Sequence, residues 1–147
     1  MGSAAWEVLD ILKAEGVPPH RVMLSHVDRN PDPGLHEELA AAGAYIGYDV
    51  MASAKYWPDS AFPDCLLQVA ARGDAERIVL GSNMSRRSSF RAYGRMPGLA
   101  YLPQRFIARL RQSAGEGLVQ QFLVFNPARF LAFAPDAIGI ARTEERG

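Results

Sequence analysis

The stretch Arg21-Val22-Met23-Leu24-Ser25-His26 is a short apolar run that ends in a polar residue. The same pattern returns twice, as AYIGYD at 44–49 and as RIVLGSN at 77–83. The segments before and between these runs have the apolar spacing of amphipathic helices, and each ends at a glycine. Short apolar strands that alternate with amphipathic helices predict parallel α/β units.

The same criteria divide the whole chain into elements. Three strands are predicted, at 21–25, 44–48 and 77–81. Six helices are predicted, at about 3–14, 33–43, 63–72, 103–113, 116–125 and 128–132, with Asn126 as the cap of the last one. A loop at 82–102 is rich in Gly, Arg and Ser. We expect one domain at 1–133, followed by a polar C-terminal tail at 134–147.

Composition excludes several classes of function. The 147 residues include 16 basic and 16 acidic side chains, so neither nucleic acid nor an anionic membrane surface is an expected partner. Cys65 is the only cysteine, so no internal disulfide forms, and we expect it to be buried on the third helix. The N-terminus lacks the pattern of a signal peptide, and no apolar run is long enough to span a membrane, which predicts a cytoplasmic protein.

Each predicted strand is followed by a polar side chain. His26 follows the first strand, Asp49 the second and Asn83 the third. In parallel α/β proteins the carboxyl ends of the strands form the active face, so these residues are the candidate site. For any one of them taken alone, capping a helix or satisfying loop backbone is the more common role.

His26 is the candidate metal ligand, because a neutral imidazole at a strand end is a common zinc ligand. Asp28 is placed either to orient the His26 ring or to bind Arg29, and the sequence does not choose between these roles. The other two histidines are not expected to join the site. His20 precedes the first strand, and His36 lies on the second helix, with two glutamates on an exposed face.

Five stretches, taken in order, resemble the C-terminal half of phosphotriesterase-like proteins of the amidohydrolase superfamily. They are RVMLSHVDR at 21–29, GAYIGYD at 43–49, RIVLGSNMSRRS at 77–88, YGRMPG at 93–98 and FNPAR at 125–129. Together they place the resemblance over about 6–133. It implies a partial TIM (β/α)₈ barrel, made of the last three β/α units and the C-terminal helices. A whole barrel needs about 250 residues.

The resemblance also implies a two-metal zinc site at the carboxyl ends of the strands. His26 matches the metal-binding histidine of the sixth strand. The eighth-strand aspartate, which binds metal and handles the proton of the attacking water, falls on Asn83, whose amide carries no charge and accepts no proton near neutral pH. Asp49 matches a residue that borders the substrate pocket. Because the other ligands belong to strands outside the match, we expect this chain alone to bind zinc weakly or not at all.

Arginines cluster in the loop after the third strand. Arg86 and Arg87, with Arg91 and Arg95, form either a substrate anion pocket or lid, or a solvated loop with internal ion pairs. Arg95 is also a departure from the resemblance, since the family commonly has glycine at its position, and glycine has a freedom at positive φ that arginine lacks.

An isolated three-stranded piece of a barrel has two open edges and one uncovered face. Three interpretations follow. The chain is a truncated hydrolase without activity of its own, a half-barrel that works with a separate N-terminal half, or a non-catalytic interaction domain. The resemblance implies hydrolysis of an ester, lactone or phosphotriester. The expected partners are an N-terminal half-barrel or another copy that associates through the exposed strand edges.

Overall fold

Three parallel strands form one sheet in the order β1, β2, β3. The structure is a computed structural model that describes residues 2–50, 61–84, 86–87, 90–93 and 98–133. The strands are β1 (Met23–Ser25), β2 (Tyr45–Tyr48) and β3 (Ile78–Leu80). Met23 pairs with Tyr45, and Gly47 pairs with Val79. The carboxyl ends of all three strands therefore lie at one edge of the sheet, as predicted.

Helices connect and follow the strands. The α-helices are α1 (Gly2–Ala14), α2 (Pro33–Ala41), α3 (Ala61–Ala71), α4 (Ile107–Gln120) and α5 (Asn126–Leu131). Turns of 3₁₀ helix lie at Pro19–Arg21, Val27–Arg29, Asp74–Arg77 and Arg91–Tyr93, and π-helical stretches at Leu102–Phe106 and Gln121–Phe125. The chain thus continues the β/α alternation that the sequence predicts.

Local chemistry sets the helix ends. The Asp32 carboxylate accepts hydrogen bonds from the backbone of Gly34 (3.1 Å) and Leu35 (3.2 Å), which caps α2 one residue before Pro33. Gly43, with φ of 102°, provides the left-handed residue between α2 and β2. The predicted start of α2 at Pro33 and its glycine stop before β2 are therefore confirmed.

One face of the sheet packs against the helices. Leu24, Ile46 and Ile78 point to this face and are at most 8% exposed. On the opposite face Met23 is 38% exposed and Ser25 is also exposed, whereas Tyr45, at the start of β2, is covered by Phe130. A barrel strand is covered on both sides, so this face corresponds to the interior of a barrel whose other strands are not among the described residues.

One predicted strand boundary is wrong, and one predicted helix break is confirmed. β1 begins at Met23 and not at Arg21, because Pro19–Arg21 forms a 3₁₀ turn in which Val22 N–H donates to the Pro19 carbonyl at 2.9 Å. The two helices predicted at 103–113 and 116–125 are confirmed, because Gly115 between them has non-helical angles (φ 80°, ψ 169°) and divides α4 at a kink.

The predicted cap role of Asn126 is also wrong. Asn126 is the first residue of α5 and already has helical angles (φ −68°, ψ −48°). Its buried side chain instead donates to the carbonyl oxygens of Ala75 and Ile78, at 2.7 Å each. Asn126 therefore ties the last helix to the beginning of β3.

Some predictions fall outside the part of the chain that the structure describes. They concern Arg95 and the tail at 134–147. Among the described residues, the structure contains no helix with the length and apolar character needed to cross a bilayer.

Candidate functional site

The carboxyl ends of β1 and β2 bring His26 and Asp49 together. His26 Nδ1 lies 2.5 Å from Asp49 Oδ1, although the two residues are 23 positions apart in sequence. The Asp49 side chain is 16% exposed and that of His26 is 37% exposed. In the tautomer that fits a carboxylate partner, Nδ1–H donates to Asp49 and the lone pair of Nε2 is free for another ligand.

This pairing fits a metal ligand. Histidines that bind metals almost always donate their second ring N–H to a carboxylate, carbonyl or water, which fixes the ring and raises its basicity. His26 and Asp49 form that arrangement, and His26 is the more exposed residue of the pair. Among the described residues no group of three His, Cys, Asp or Glu side chains lies together in a metal-binding cluster.

His26 has an unusual backbone conformation for a non-glycine residue. Its φ is 64° and its ψ is 19°, in the left-handed region. Arg29 N–H donates to the His26 carbonyl at 3.1 Å, and Asn30 N–H donates to the Val27 carbonyl at 3.0 Å. Residues in sparsely populated regions persist where surrounding structure holds them, often at functional sites. The 3₁₀ turn after His26 therefore presents its imidazole at the strand end.

Asp28 is a buried residue that connects the turn after β1 to the residues after β2. It is fully buried, and its Oδ2 accepts the Val50 N–H at 2.8 Å. Oδ1 is also buried and has no hydrogen-bond partner among the described residues. Burial raises the pKa of Asp28 to about 6, against the lowering effect of the Val50 hydrogen bond. Asp49, and not Asp28, is the carboxylate that contacts the His26 ring.

Asn83 lies beyond the end of β3, with an exposed side chain and a φ of 45°. The contacts described for this part of the chain do not join it to His26 or Asp49. Gly81 brings β3 close to the pair, because a Cβ at this position would lie 3.1 Å from the Asp49 Cβ. The match of Asn83 to a family aspartate stays a prediction.

The predicted substrate-binding arginines are exposed. Arg86 and Arg87 lie in the loop after β3, and the Arg87 guanidinium is 4.1 Å from the centre of the Tyr93 ring. This cation–π contact holds Arg87 within its own loop. The described contacts do not bring either arginine to His26, so both the anion-pocket and the solvated-loop interpretations stay predictions.

His36 differs from its predicted surroundings, because it is fully buried. Its Nδ1 lies 2.7 Å from the Tyr48 hydroxyl, and its Nε2 lies 3.1 Å from the Val27 carbonyl oxygen. Burial lowers the pKa of His36. The sequence did carry a signal for this, since buried Leu39 and Ala40 lie three and four residues further along the same helix.

Cys65 is buried on α3, as predicted, and completes a polar cluster with His36 and Tyr48. Its Sγ lies 3.5 Å from both the Tyr48 hydroxyl and His36 Nδ1. Burial raises the pKa of the Cys65 thiol and of the Tyr48 hydroxyl, so both are neutral groups. The cluster joins α2, β2 and α3, and His36 hydrogen-bonds to the carbonyl of Val27, the residue after His26.

The sequence of this chain is similar to those of known proteins that are more than twice its matched length. A phospho-furanose lactonase from Mycoplasmopsis synoviae is 31% identical over 140 residues, which cover 90% of this chain and 40% of the relative. The phosphotriesterase homology protein from Escherichia coli is 33% identical over 125 residues, covering 84% of this chain and 42% of the relative. The chain therefore spans about two-fifths of the length of these relatives.

Solved structures agree with the sequence matches. A lactonase from Listeria monocytogenes superposes with a TM-score of 0.85 and 34% identity, over 90% of this chain and 42% of the other. The Escherichia coli phosphotriesterase homology protein, solved with phosphate in its active site, superposes with a TM-score of 0.82 and 32% identity, over 88% and 44% of the two chains. These likenesses agree with the predicted partial barrel.

The sequence profile of the phosphotriesterase family matches residues 2–131, which is nearly all of the described chain. The match includes β1, β2 and β3 and the polar residues that follow each of them. The chain therefore belongs to the phosphotriesterase family, a family of hydrolases.

Proposed function

We propose that this chain supplies the C-terminal part of the active site of a metal-dependent hydrolase, and that it has no hydrolase activity by itself. The observation that supports this proposal is the pair formed by His26 and Asp49 at the carboxyl end of the sheet, with Nδ1 and Oδ1 2.5 Å apart. Such a pair orients a metal ligand, while a single ligand does not make a metal site.

In this proposal His26 binds the metal through Nε2. Asp49 holds the ring in the tautomer that leaves Nε2 unprotonated and balances the charge that the ring acquires. The left-handed turn at His26 directs the imidazole out of the strand, and Asp28 fixes that turn to Val50 of the next strand end. A bound zinc supplies an activated water at neutral pH.

Among the proposed site residues, Asn83 is the one least suited to hydrolysis. In the proposed register it stands where the family has an aspartate, and its amide accepts no proton from the attacking water. Loss of a general acid–base group lowers the rate by about 10²–10⁴-fold. We therefore propose that even a completed barrel containing this chain is a slow hydrolase.

The proposed substrate is an ester or lactone that carries a negatively charged group. Arg86 and Arg87 are exposed in the loop that follows β3, and guanidinium groups pair well with phosphate and carboxylate. Two of the relatives bear on this choice, one named a phospho-furanose lactonase and one solved with phosphate in its active site. We propose a phosphorylated lactone as the first substrate to test.

The proposed partner is an N-terminal half-barrel. Met23 and Ser25 leave the inner face of β1 exposed, and β1 and β3 are the two edges of the described sheet. Exposed edges and apolar faces require a partner or lead to aggregation. A complementary half-barrel covers both features in one step, whereas a second copy adds three more strands of the same kind.

Complementation tests this function. The N-terminal part of the Listeria monocytogenes lactonase, which precedes the matched region, is mixed with this chain and zinc, and lactone hydrolysis is measured. We expect hydrolysis only in the mixture. Replacing His26→Ala should abolish it, and Asn83→Asp should raise it by about 10²-fold or more, because it restores a general base.

The matched control is Lys13→Ala, an exposed residue of α1, which should leave hydrolysis unchanged. Activity that survives His26→Ala would contradict the assignment of His26. A complex that forms but hydrolyses no ester, lactone or phosphotriester, even with Asn83→Asp, would favour a non-catalytic interaction domain.

A further inference from the structure

A cavity lies at the amino ends of the strands, at the opposite end of the sheet from His26. Its volume is about 390 Å³. Arg21 and Arg77, which end the 3₁₀ turns before β1 and β3, line it together with Tyr45, the first residue of β2. The end of α5 closes the remaining side with Arg129 and Phe130. The cavity therefore uses none of the residues of the candidate hydrolase site.

The cavity is basic. Three arginines line it, and none of its lining residues is acidic. Arg129 is neutralised by Glu76, with Nη1 and Oε2 2.9 Å apart. Arg77 has a carboxylate neighbour in Asp74. Burial raises the pKa of Asp74, and the charge of Arg77 lowers it by a smaller amount. Arg21 Nη1 donates to the Ala132 carbonyl at 3.3 Å, which uses one of its five N–H donors and neutralises no charge.

Aromatic side chains form the rest of the wall. The rings of Tyr45 and Phe130 pack with their centres 4.9 Å apart, and the Arg77 guanidinium lies 5.1 Å from the centre of the Tyr45 ring. Phe133, at the rim, is 78% exposed. The volume lies within the range of about 300–1,000 Å³ that is usual for small-molecule sites, which combine an apolar lining with a few placed polar groups.

We propose that this cavity binds a small organic anion that consists of an aromatic ring with a phosphate group. Arg21 and Arg77 reach it from the two outer strands, which lie about 10 Å apart because each is one strand spacing from β2. They hold the phosphate through charge-assisted hydrogen bonds. The ring of the ligand lies against Phe130 and Phe133, whose exposed surface it removes from water.

Nuclear magnetic resonance on ¹⁵N-arginine-labelled chain tests the proposal, with phenyl phosphate and inorganic phosphate as probes. We expect saturable shifts of the Nε–H signals of Arg21 and Arg77, with tighter binding of phenyl phosphate than of inorganic phosphate. The signal of Arg105, an exposed arginine away from the cavity, should stay in place.

Variants locate the site. Arg21→Gln should weaken phenyl phosphate binding by about tenfold or more, the effect of losing a hydrogen bond to a charged group, and Arg105→Gln should not. Phe133→Ala, at the exposed rim, should weaken binding of phenyl phosphate and leave inorganic phosphate unaffected. This second variant keeps the test decisive if Arg21→Gln fails to fold.

Three results would overturn the proposal. They are the absence of saturable shifts at Arg21 and Arg77, equal affinity for the two probes, and an equal loss of affinity in Arg21→Gln and Arg105→Gln. The last result would mean that the ligand responds to overall charge and not to a defined site.

Discussion

At the scale of single residues, the orientation of His26 depends on Asp49. Replacing Asp49→Ala removes the only carboxylate that contacts the imidazole among the described residues. We expect zinc affinity in the complemented barrel to fall by about 10–100-fold, the usual effect of losing the partner of a metal-binding histidine. Asp49→Asn should restore part of it, because an amide oxygen still accepts from Nδ1–H. Zinc titration measures both effects.

The control for this variant is Asp10→Ala, since Asp10 is an exposed carboxylate on α1. It should leave zinc affinity unchanged. If Asp49→Ala binds zinc as tightly as Asp10→Ala does, the pair with His26 has no part in holding the metal.

His36 makes the fold sensitive to acid. Nε2–H donates to the Val27 carbonyl, so Nδ1 accepts from the Tyr48 hydroxyl, and a protonated ring would leave the Tyr48 proton without this acceptor. Burial lowers the pKa of His36 below its ordinary value of 6.5. The stabilisation from the neutral ring is therefore complete above pH 6.5 and is lost as the pH falls through the lowered pKa.

The variant His36→Gln tests this dependence, because glutamine does not titrate. We expect the difference in free energy of unfolding between the natural chain and His36→Gln to be constant above pH 6.5 and to shrink below it. The comparison is needed because Asp28, with its pKa raised to about 6, works in the opposite direction, stabilising the fold at low pH. A difference that does not change with pH would contradict the role of His36. The control is His20→Gln, which replaces an exposed histidine.

At the scale of secondary-structure elements, Asn126 connects α5 to β3. Replacing Asn126→Ala removes a side-chain donor from the carbonyl oxygens of Ala75 and Ile78, although the Ala75 carbonyl still accepts from the Ile78 N–H. We expect the free energy of unfolding to fall by about 1–3 kcal/mol, the cost of taking the donor from a buried group such as the Ile78 carbonyl. Urea denaturation measures the loss. The control is Gln112→Ala, which truncates an exposed amide on α4. An equally small loss of stability in both variants would contradict the role of Asn126 in connecting α5 to β3.

The elements themselves were predictable because their signals are local. Alternating apolar spacing, the Asp32-Pro33 start of α2 and the glycine after it all act within one or two turns of the chain. The contacts that make the site are not local. His26 meets Asp49 23 residues further along, and Asn126 meets Ile78 across 48 residues. No spacing rule within one element predicts such pairs, which is why Asp28 remained a candidate partner for His26 and Asn126 was assigned a cap role.

The burial of His36 shows a different limit. Its spacing from Leu39 and Ala40 places it on the buried face of α2, yet histidine is also common on polar surfaces. The face is decided by Tyr48 of β2, which supplies a hydroxyl partner inside the core. A polar residue on an apolar face is predictable as buried only when its partner is known.

At the scale of the whole molecule, helices cover one face of the described sheet, and the other face is partly exposed. Leu24 and Ile46 are covered by helices, whereas Met23 is 38% exposed on the opposite face. Relatives that superpose with TM-scores of 0.82 and 0.85 are more than twice as long as the matched region. The described sheet has open edges and offers one metal ligand. We therefore propose that His26 takes part in a metal site only when a complementary half-barrel is present.

Zinc titration by calorimetry tests that claim most directly. The chain is titrated alone and after mixing with the N-terminal part of the Listeria monocytogenes lactonase, with and without His26→Ala. We expect no tight stoichiometric binding to the chain alone, and saturable binding in the mixture that His26→Ala weakens. Tight stoichiometric zinc binding by the chain alone, or binding in the mixture that is indifferent to His26→Ala, would contradict it.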